Sequence, residues 1–380
     1  MPTAGGPNIL GESNLVFAYD TGDIRNSYIG EPTVNVFPDP KILNGTSGWA
    51  ISNATGGTTT VDTGRNGGQS LKITVASGGD QYQYKNYGYG VNKGGTTFTY
   101  SAYIKISGIS GTGVGMSTYW FDINGSFIWS NISESSRITG TQDWTRVTAT
   151  STAPAGTYYV VAIFYPVDKN GVGTYWITDI QIEEKSHATP FIAGTRSATQ
   201  GLLPLIGNST LDLSNVSFDS NAQMTFDGTD DLVDITTNFG TLSAYTFEYV
   251  AYANSTHNMP IASRTNTNFY KYGAYSWRYT HGGVGGEFYH TAGNGTGWAH
   301  WVITYDGSTI SVWENGVSKG TSSSSGTADF SGGIRIGSWA SSAAYTWDGT
   351  IPVMKMYNRA LSAGEVRQNY LHYKTRFNLS

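Results

Sequence analysis

Hydrolysis of a glycosidic bond needs two carboxyl groups about 5–9 Å apart. On a strand that means acids spaced by two, because alternate residues share a face. Glu248 has no acid at 246 or 250, and Glu314 has none at 312 or 316. His281 and His290 stand apart in sequence, and His300 sits among aromatic residues. None of the three has a ligand-like neighbour two or four residues on, so hydrogen-bonded or solvent-facing histidines are expected. The chain has no cysteine, which removes thiol nucleophiles, thiolate zinc sites and disulfides together. Gly282-Gly-Val-Gly-Gly286 follows no α/β unit and reads as a hairpin loop, not a phosphate cradle. No serine nucleophile elbow, P-loop or dinucleotide fingerprint occurs. No catalytic residue and no enzyme activity are therefore expected. Calcium takes oxygen ligands. Asp230, Asp231 and Asp348 are the candidates for it, although acids at turns such as Asp227, Asp230 and Asp231 commonly hold backbone amides instead. No cofactor is required by any motif.

Aromatic rings offer a different chemistry. They stack on pyranose faces while nearby amides and hydroxyls meet the polar edge of the sugar. Tyr82, Tyr84, Tyr87 and Tyr89 fall within eight residues, interleaved with Gln81, Gln83, Lys85 and Asn86. Trp120 and Trp129 flank the next hairpin. A second run holds Tyr270, Tyr272, Tyr275, Trp277 and Tyr279, of which the last three share a face by alternation. Trp339, Tyr345 and Trp347 bracket a Ser/Ala-rich loop, a place suited to a partner or glycan. The ligand candidates are thus Tyr82, Tyr84, Tyr87, Tyr89, Trp120, Trp129, Tyr275, Trp277, Trp339 and Trp347. Three roles stay open for them: glycan stacking, sandwich core, and a subunit interface, which is also rich in such rings.

The 380 residues allow two or three domains. Charged residues make up 13%, against ~25% in typical domains, and the formal net charge is -5. There is no basic stripe to grip phosphate, so nucleic acid is not an expected partner. No apolar run approaches the ~20 residues of a membrane helix, so no membrane insertion is expected. Met1–Pro7 lacks the basic and apolar regions of a secretory signal. The 49 glycines and 26 tyrosines suit many strands joined by tight turns.

The positioning elements follow from period-two alternation. Residues 1–13 read as an arm, and Asn14–Tyr19 as a strand. Trp49–Ile51, Thr58–Asp62, Leu71–Val75, Gln81–Tyr84, Thr97–Ile106, Gly115–Asp122, Ser126–Trp129, Trp144–Thr150, Gly156–Tyr165 and Gly173–Glu183 read as further strands. Eight or nine strands in some 150 residues predict a jelly roll. A stretch with Pro190, Gly194 and Pro204 reads as a linker. From Leu211 a second sandwich pattern runs to the end, with hairpin turns at Asp306-Gly307 and Asn315-Gly316. One helix is predicted. Ser362 and Glu365 form a capping box, and Leu361 and Val366 a hydrophobic staple. The fold class is all-β: two β-sandwich or jelly-roll modules and a short terminal helix.

Specific runs carry a resemblance. Trp347-Asp-Gly-Thr-Ile351 followed by Met356-Tyr-Asn-Arg-Ala-Leu-Ser-Ala-Gly-Glu-Val366 resembles the closing motif of the concanavalin A-like, laminin G-like family. Ala222–Leu232, Tyr245–Val250 and Ala299–Tyr305 with Ser311–Gly316 are similar to its earlier strands, in the same order. This resemblance implies a concanavalin A-like sandwich over 211–380. Pro352 and Val353 stand where many members carry acids, so the resemblance carries no calcium site there. The hydrolases of that fold carry an E-x-D-x-x-E strand, which is absent. Asn14-Leu-Val-Phe-Ala-Tyr-Asp20, with Tyr28 and Gly30, resembles the opening of such modules in phage structural proteins. The economical reading is that 14–34 belong to the C-terminal sandwich, with 35–190 inserted and 191–210 as linker. A continuous N-terminal module preceded by an arm is the other.

Residues 35–190 resemble a CenC-like carbohydrate-binding module of the galactose-binding jelly-roll type. The match rests on Asn44–Trp49, Gln69–Thr74, Thr97–Ile104, Asp143–Val147 and Thr174–Glu183, followed by the phage-like Ala188-Thr-Pro-Phe191. Together these imply a phage virion protein, a tail fibre or a capsid decoration protein; the alternative is a free or cell-surface carbohydrate-binding protein without a virion role, with a glycoside hydrolase as a third reading. The partners implied are other virion proteins, further copies of the chain (a homo-oligomer, plausibly a trimer) and a host-surface glycan. The expected location is the virion surface, or otherwise extracellular.

Overall fold

The computed structural model describes residues 12–52, 57–76, 82–166, 172–219, 223–255, 257–265, 267–272, 276–282, 284–289, 296–339 and 346–380. The chain divides into two compact units, one formed by 1–32 with 197–380 and the other by 33–196. The architecture is all-β with one α-helix, Ala363–Phe377, among the described residues.

The discontinuous unit is a sandwich. One sheet runs Ser217–Phe218, Met224–Asp227, Asp348–Tyr357, Tyr245–Ala253, Gly297–Tyr305, Thr309–Glu314 and Val317–Ser323. The facing sheet runs Leu211–Ser214, Leu232–Ile235, Ile334–Ile336, His257–Ser263, Asn268–Tyr272, Ser276–His281 and Val284–Tyr289. Asp348–Tyr357 is shared along one edge by two strands in tandem. Its first residues pair with Met224–Asp227 and its last with Leu15–Asp20. The Tyr19 hydroxyl donates to the Ile351 carbonyl at 2.9 Å. The chain's opening strand is thus built into the sheet of its last strand.

The core lies between the sheets and takes Phe17, Tyr19, Phe226, Phe247, Tyr249, Ile303, Met354 and Met356. Alternation turns the intervening residues of the first sheet to its other face, where the helix packs through Val366, Tyr370, Tyr373 and Phe377. Tyr245–Ala253 is therefore buried on both faces nearly throughout, the pattern of a covered strand. The capping box forms: Ser362 Oγ accepts from the Glu365 amide and Glu365 Oε2 accepts from the Ser362 amide. Arg376 makes a two-pronged ion pair with Asp20, at 2.5 and 2.6 Å. Residues 197–210, linker-like in texture, pack into this unit. Leu202 is fully buried, the Leu203 amide donates to the Ser27 carbonyl, and the Leu205 amide donates to that of Ala18.

Residues 33–196 form a jelly-roll-like unit. Thr97–Phe121 is one 25-residue strand, where alternation alone suggests two. Gly113 at φ +98° lets it run close to Ile138, whose carbonyl would lie 2.5 Å from a Cβ there. The first half pairs with Ile138–Thr152 and Gly173–Glu183; the second pairs with Tyr159–Pro166 and Phe127–Ile128. Even positions face the core: Phe98, Tyr100, Ala102, Ile104, Ile106, Val114, Met116 and Trp120. The unit closes on Glu183. Its carboxylate accepts from the Thr33 hydroxyl, the Gln181 amide group and the Thr189 amide. The short strands Thr33–Val34 and Thr195–Arg196 pair where the chain enters and leaves. The Ala188–Phe191 motif therefore supplies part of the closure.

Candidate functional site

The hairpin after Thr97–Phe121 turns on Asp122. Its Oδ1 accepts from the Asn124 and Ser126 amides at 2.9 and 2.7 Å, with Gly125 at φ +78°. The return strand places Phe127 opposite Phe121 and Ile128 opposite Trp120. Trp120 points inward, so Phe121 and Phe127 point outward. Phe127 is the hub of an outward aromatic cluster. Tyr119 and Phe121 meet it edge-on at 4.7 and 4.8 Å, and Trp129 lies over it at 4.3 Å. Trp129 is 77% exposed. The following turn is pinned. Asn131 is in the left-handed region, its side-chain amide donates to the Thr152 carbonyl, and its carbonyl accepts from Trp120 Nε1 at 3.1 Å. A large ring resting on a neighbouring ring, tilted 37° to it, and open to water offers a face on which a sugar can stack. Tyr159, opposite Phe121 in register, extends the same face, its ring lying over Gly88.

The other aromatic candidates separate by burial. Trp120 is fully buried and Trp347 is 2% exposed. Both are core residues, which corrects their reading as ligand rings: an enclosed ring offers a sugar no face. Tyr87 and Tyr89 pack against the core of residues 33–196, with their rings 4.9 Å apart. Tyr82 and Tyr84 lie on the strand Tyr82–Gly88, paired with Ser52 and Ala50. Trp277 lies on Ser276–His281, opposite Lys271 and Phe288. Tyr275 lies outside the described residues. Trp339 is half-buried, and its carbonyl accepts from Arg335.

Asp227, Asp230 and Asp231 bring carboxylate oxygens within 4.8 Å of one another. Asp231 Oδ2 accepts from the Asp227 amide at 2.7 Å, Asp227 Oδ1 from the Thr229 amide at 2.7 Å, and Asp230 Oδ2 from Asn215 at 2.9 Å. That leaves the second oxygen of each acid for a cation. Burial, with the neighbouring charges of Asp227 and Asp230, pushes the Asp231 carboxyl up to about 6 against the amide bond that lowers it. Three hard oxygen donors whose charges repel fit a divalent cation such as calcium. Asp348 lies outside this set. It stands opposite Asp227 in register, and its side chain accepts from Asn254 at 2.8 Å. Asp227 replaces it among the candidate ligands.

One polar cluster was not legible in the sequence. Glu248, His300, Lys355 and Tyr357 lie on the sheet face beneath the helix, each 0–1% exposed. Glu248 accepts from His300 Nε2 at 2.9 Å, the Tyr357 hydroxyl at 3.1 Å and Asn369 at 2.9 Å. Lys355, its register partner, donates to Glu12 at 2.8 Å. Burial pushes the Glu248 carboxyl up, but Lys355, His300 and Tyr357 outweigh it and hold it at about 2. The group is a closed anchor for the helix, not an open acid–base pair. His281 is likewise bound, to the Tyr245 hydroxyl at 3.0 Å.

A family model described as the concanavalin A-like lectin/glucanases superfamily matches residues 227–367. The all-β sandwich and short terminal helix described above match that fold region. A search of curated proteins finds no match. Among solved structures, the receptor-binding domain of botulinum neurotoxin C/D mosaic serotype is similar over 45% of this chain and 48% of that one, at 11% identity and TM-score 0.34. The N-terminal endo-1,4-beta-D-xylanase 10B of Clostridium thermocellum, complexed with xylohexaose, is similar over 40% and 28%, at 17% identity and TM-score 0.29. The enzymatically active domain of tailspike protein 4 of bacteriophage CBA120 is similar over 39% and 21%, at 16% identity and TM-score 0.31. The chain thus spans about half the length of the toxin domain and less of the other two. No helix of the described residues is long and apolar enough to cross a membrane.

Proposed function

We propose that the chain is a non-enzymatic carbohydrate-binding protein, free or displayed on a cell surface, with the Trp129 platform as its glycan contact. The observation that carries this reading is the 77%-exposed Trp129 ring set 4.3 Å over Phe127. An exposed apolar ring fixed in place loses little entropy on binding and gains by covering a sugar face. The lectin-type domain at 227–367 agrees with it. The absence of enzyme activity is supported by the state of the two strand acids. Glu248 is sealed, and Glu314 is 3% exposed with Lys319 at 3.2 Å.

The test is a neutral-glycan array followed by calorimetry with Trp129→Ala. A hit that weakens about tenfold or more, ~1.4 kcal/mol, at unchanged melting temperature supports the reading. No hit, or equal affinity in the variant, overturns it. A virion placement is a second reading, as a capsid decoration or tail component that self-associates. It is favoured by Ala188–Phe191, which resembles phage proteins and joins the closure at Glu183. Cryo-electron microscopy of native particles tests it, and finding the chain on no particle would reject it.

A further inference from the structure

The first half of Thr97–Phe121 lies in a different part of the sheet from the Trp129 hairpin, and its outward face carries different residues. Register sets two rows across four strands. Thr58, Thr74, Thr174 and Ser107 form one; Thr60, Lys72, Trp176 and Lys105 form the next. The alternate positions Leu71, Ile73, Tyr175, Ile177, Ile104 and Ile106 are core, so both rows face outward. Trp176 is half-buried, and its Nε1 donates to Asp62 at 3.0 Å, which fixes the ring. Lys72 and Lys105 flank it from the two neighbouring strands, each ammonium 5.5 Å from the ring centroid. Beyond them Arg65 stacks on Tyr103 at 3.9 Å.

We propose that this face binds a carboxylated polysaccharide, a chain of uronic acids, with Trp176 stacking on one pyranose ring and Lys72 and Lys105 taking carboxylates on either side. The lysines stand on strands two apart, so their ammoniums are separated by on the order of 10 Å, a spacing that meets carboxylates on separate sugars. Each ammonium makes a cation–π contact with the indole that holds the charge near the ring before any ligand arrives. The Thr58 and Thr60 rows add hydroxyls for the sugar's polar edge. The charge is sized for one carboxylate per sugar, not for a dense polyanion. Asp62 stands beside Lys72 at 3.4 Å, and residues 33–196 hold eleven Lys and Arg against ten Asp and Glu. A heavily sulfated chain would meet that balance unfavourably.

The experiment titrates the full chain with polygalacturonate, its methyl ester and heparin, by calorimetry at low and high salt. The expected result is binding of polygalacturonate that weakens with salt and falls at least tenfold in Lys72→Gln/Lys105→Gln. The single variant Lys105→Gln, which leaves the Lys72–Asp62 pair intact, should lose several-fold and guards against misfolding of the double variant. No binding of polygalacturonate, equal binding of the methyl ester, a preference for heparin, or indifference to the lysine substitutions each overturns the proposal. Because Trp129→Ala reports on the neutral-glycan platform separately, failure of one reading leaves the other measurable.

Discussion

Lys355→Met should destabilise the sandwich formed by 1–32 and 197–380 far more than an exposed lysine would. Glu248 stays fully buried in the variant and loses the ammonium opposite it in register. Breaking a buried pair from one side costs about 3–5 kcal/mol. The direction of the Glu248 shift agrees: its carboxyl is held at about 2 against an ordinary 4.5 by Lys355 together with His300 and Tyr357, against its burial. The sign is that of a depressed carboxylate. The stabilisation is complete above pH 4.5 and is lost as pH falls toward 2. For a domain of this size, about 1 kcal/mol moves the melting temperature by about 2–4 °C, so a drop of about 6–20 °C is expected. Differential scanning calorimetry at pH 7 and pH 3 reads both effects. Lys355→Met should lower the transition at pH 7 and flatten its acid dependence. Lys355→Met/Glu248→Gln should recover much of the loss, because no uncompensated charge remains. Additive losses in the double variant, or a single-variant cost below about 1 kcal/mol, would refute the argument.

Two further outcomes are expected. Calcium should raise the melting temperature at pH 7.5 and hardly at pH 5, because Asp231 must shed its proton to ligate. With its carboxyl raised to about 6, the calcium-free protein should lose stability as pH climbs through that value; calcium-independent melting of both wild type and Asp227→Asn would exclude the site. Gly349→Ala should disrupt the edge of the last strand, since Gly349 lies at φ +137° and a Cβ would sit 1.9 Å from the Tyr252 carbonyl. A loss of about 2 kcal/mol or more is expected, and urea unfolding measures it.

The helix start could be read from sequence because a capping box is local: Ser362 and Glu365 need only each other. Trp120 and Trp129 show where such reading ends. Trp120 shares the parity of Val114 and Met116, but only the pairing of Thr97–Phe121 fixes that parity as core. The five-residue turn at Asp122–Ser126 resets the phase, so Trp129's exposure depends on how that turn closes. Tyr119, Phe121 and Phe127 form a platform only through the pairing of Phe121 with Phe127. Glu248 and Lys355 are 107 positions apart, and only the register between their strands makes them neighbours. The strand Val317–Ser323, polar and glycine-containing, has no hydrophobic alternation to announce it and forms because Thr309–Glu314 offers it an open edge.

The tandem use of Asp348–Tyr357 has a consequence in time. Leu15–Asp20 leaves the ribosome early, yet its pairing partner is made 332 residues after Tyr19. At synthesis rates of 5–20 residues per second that is a wait of about 20–70 s. During that wait residues 33–196, whose entry and exit strands pair with each other, hold everything needed for their own sheet. The nascent chain must keep an apolar strand, Leu-Val-Phe-Ala-Tyr, unpaired until the last strand arrives. Completion of the sandwich then rests on a pairing of high contact order, and conditions that slow elongation should lengthen the exposure of that one segment to chaperones and to other copies of itself.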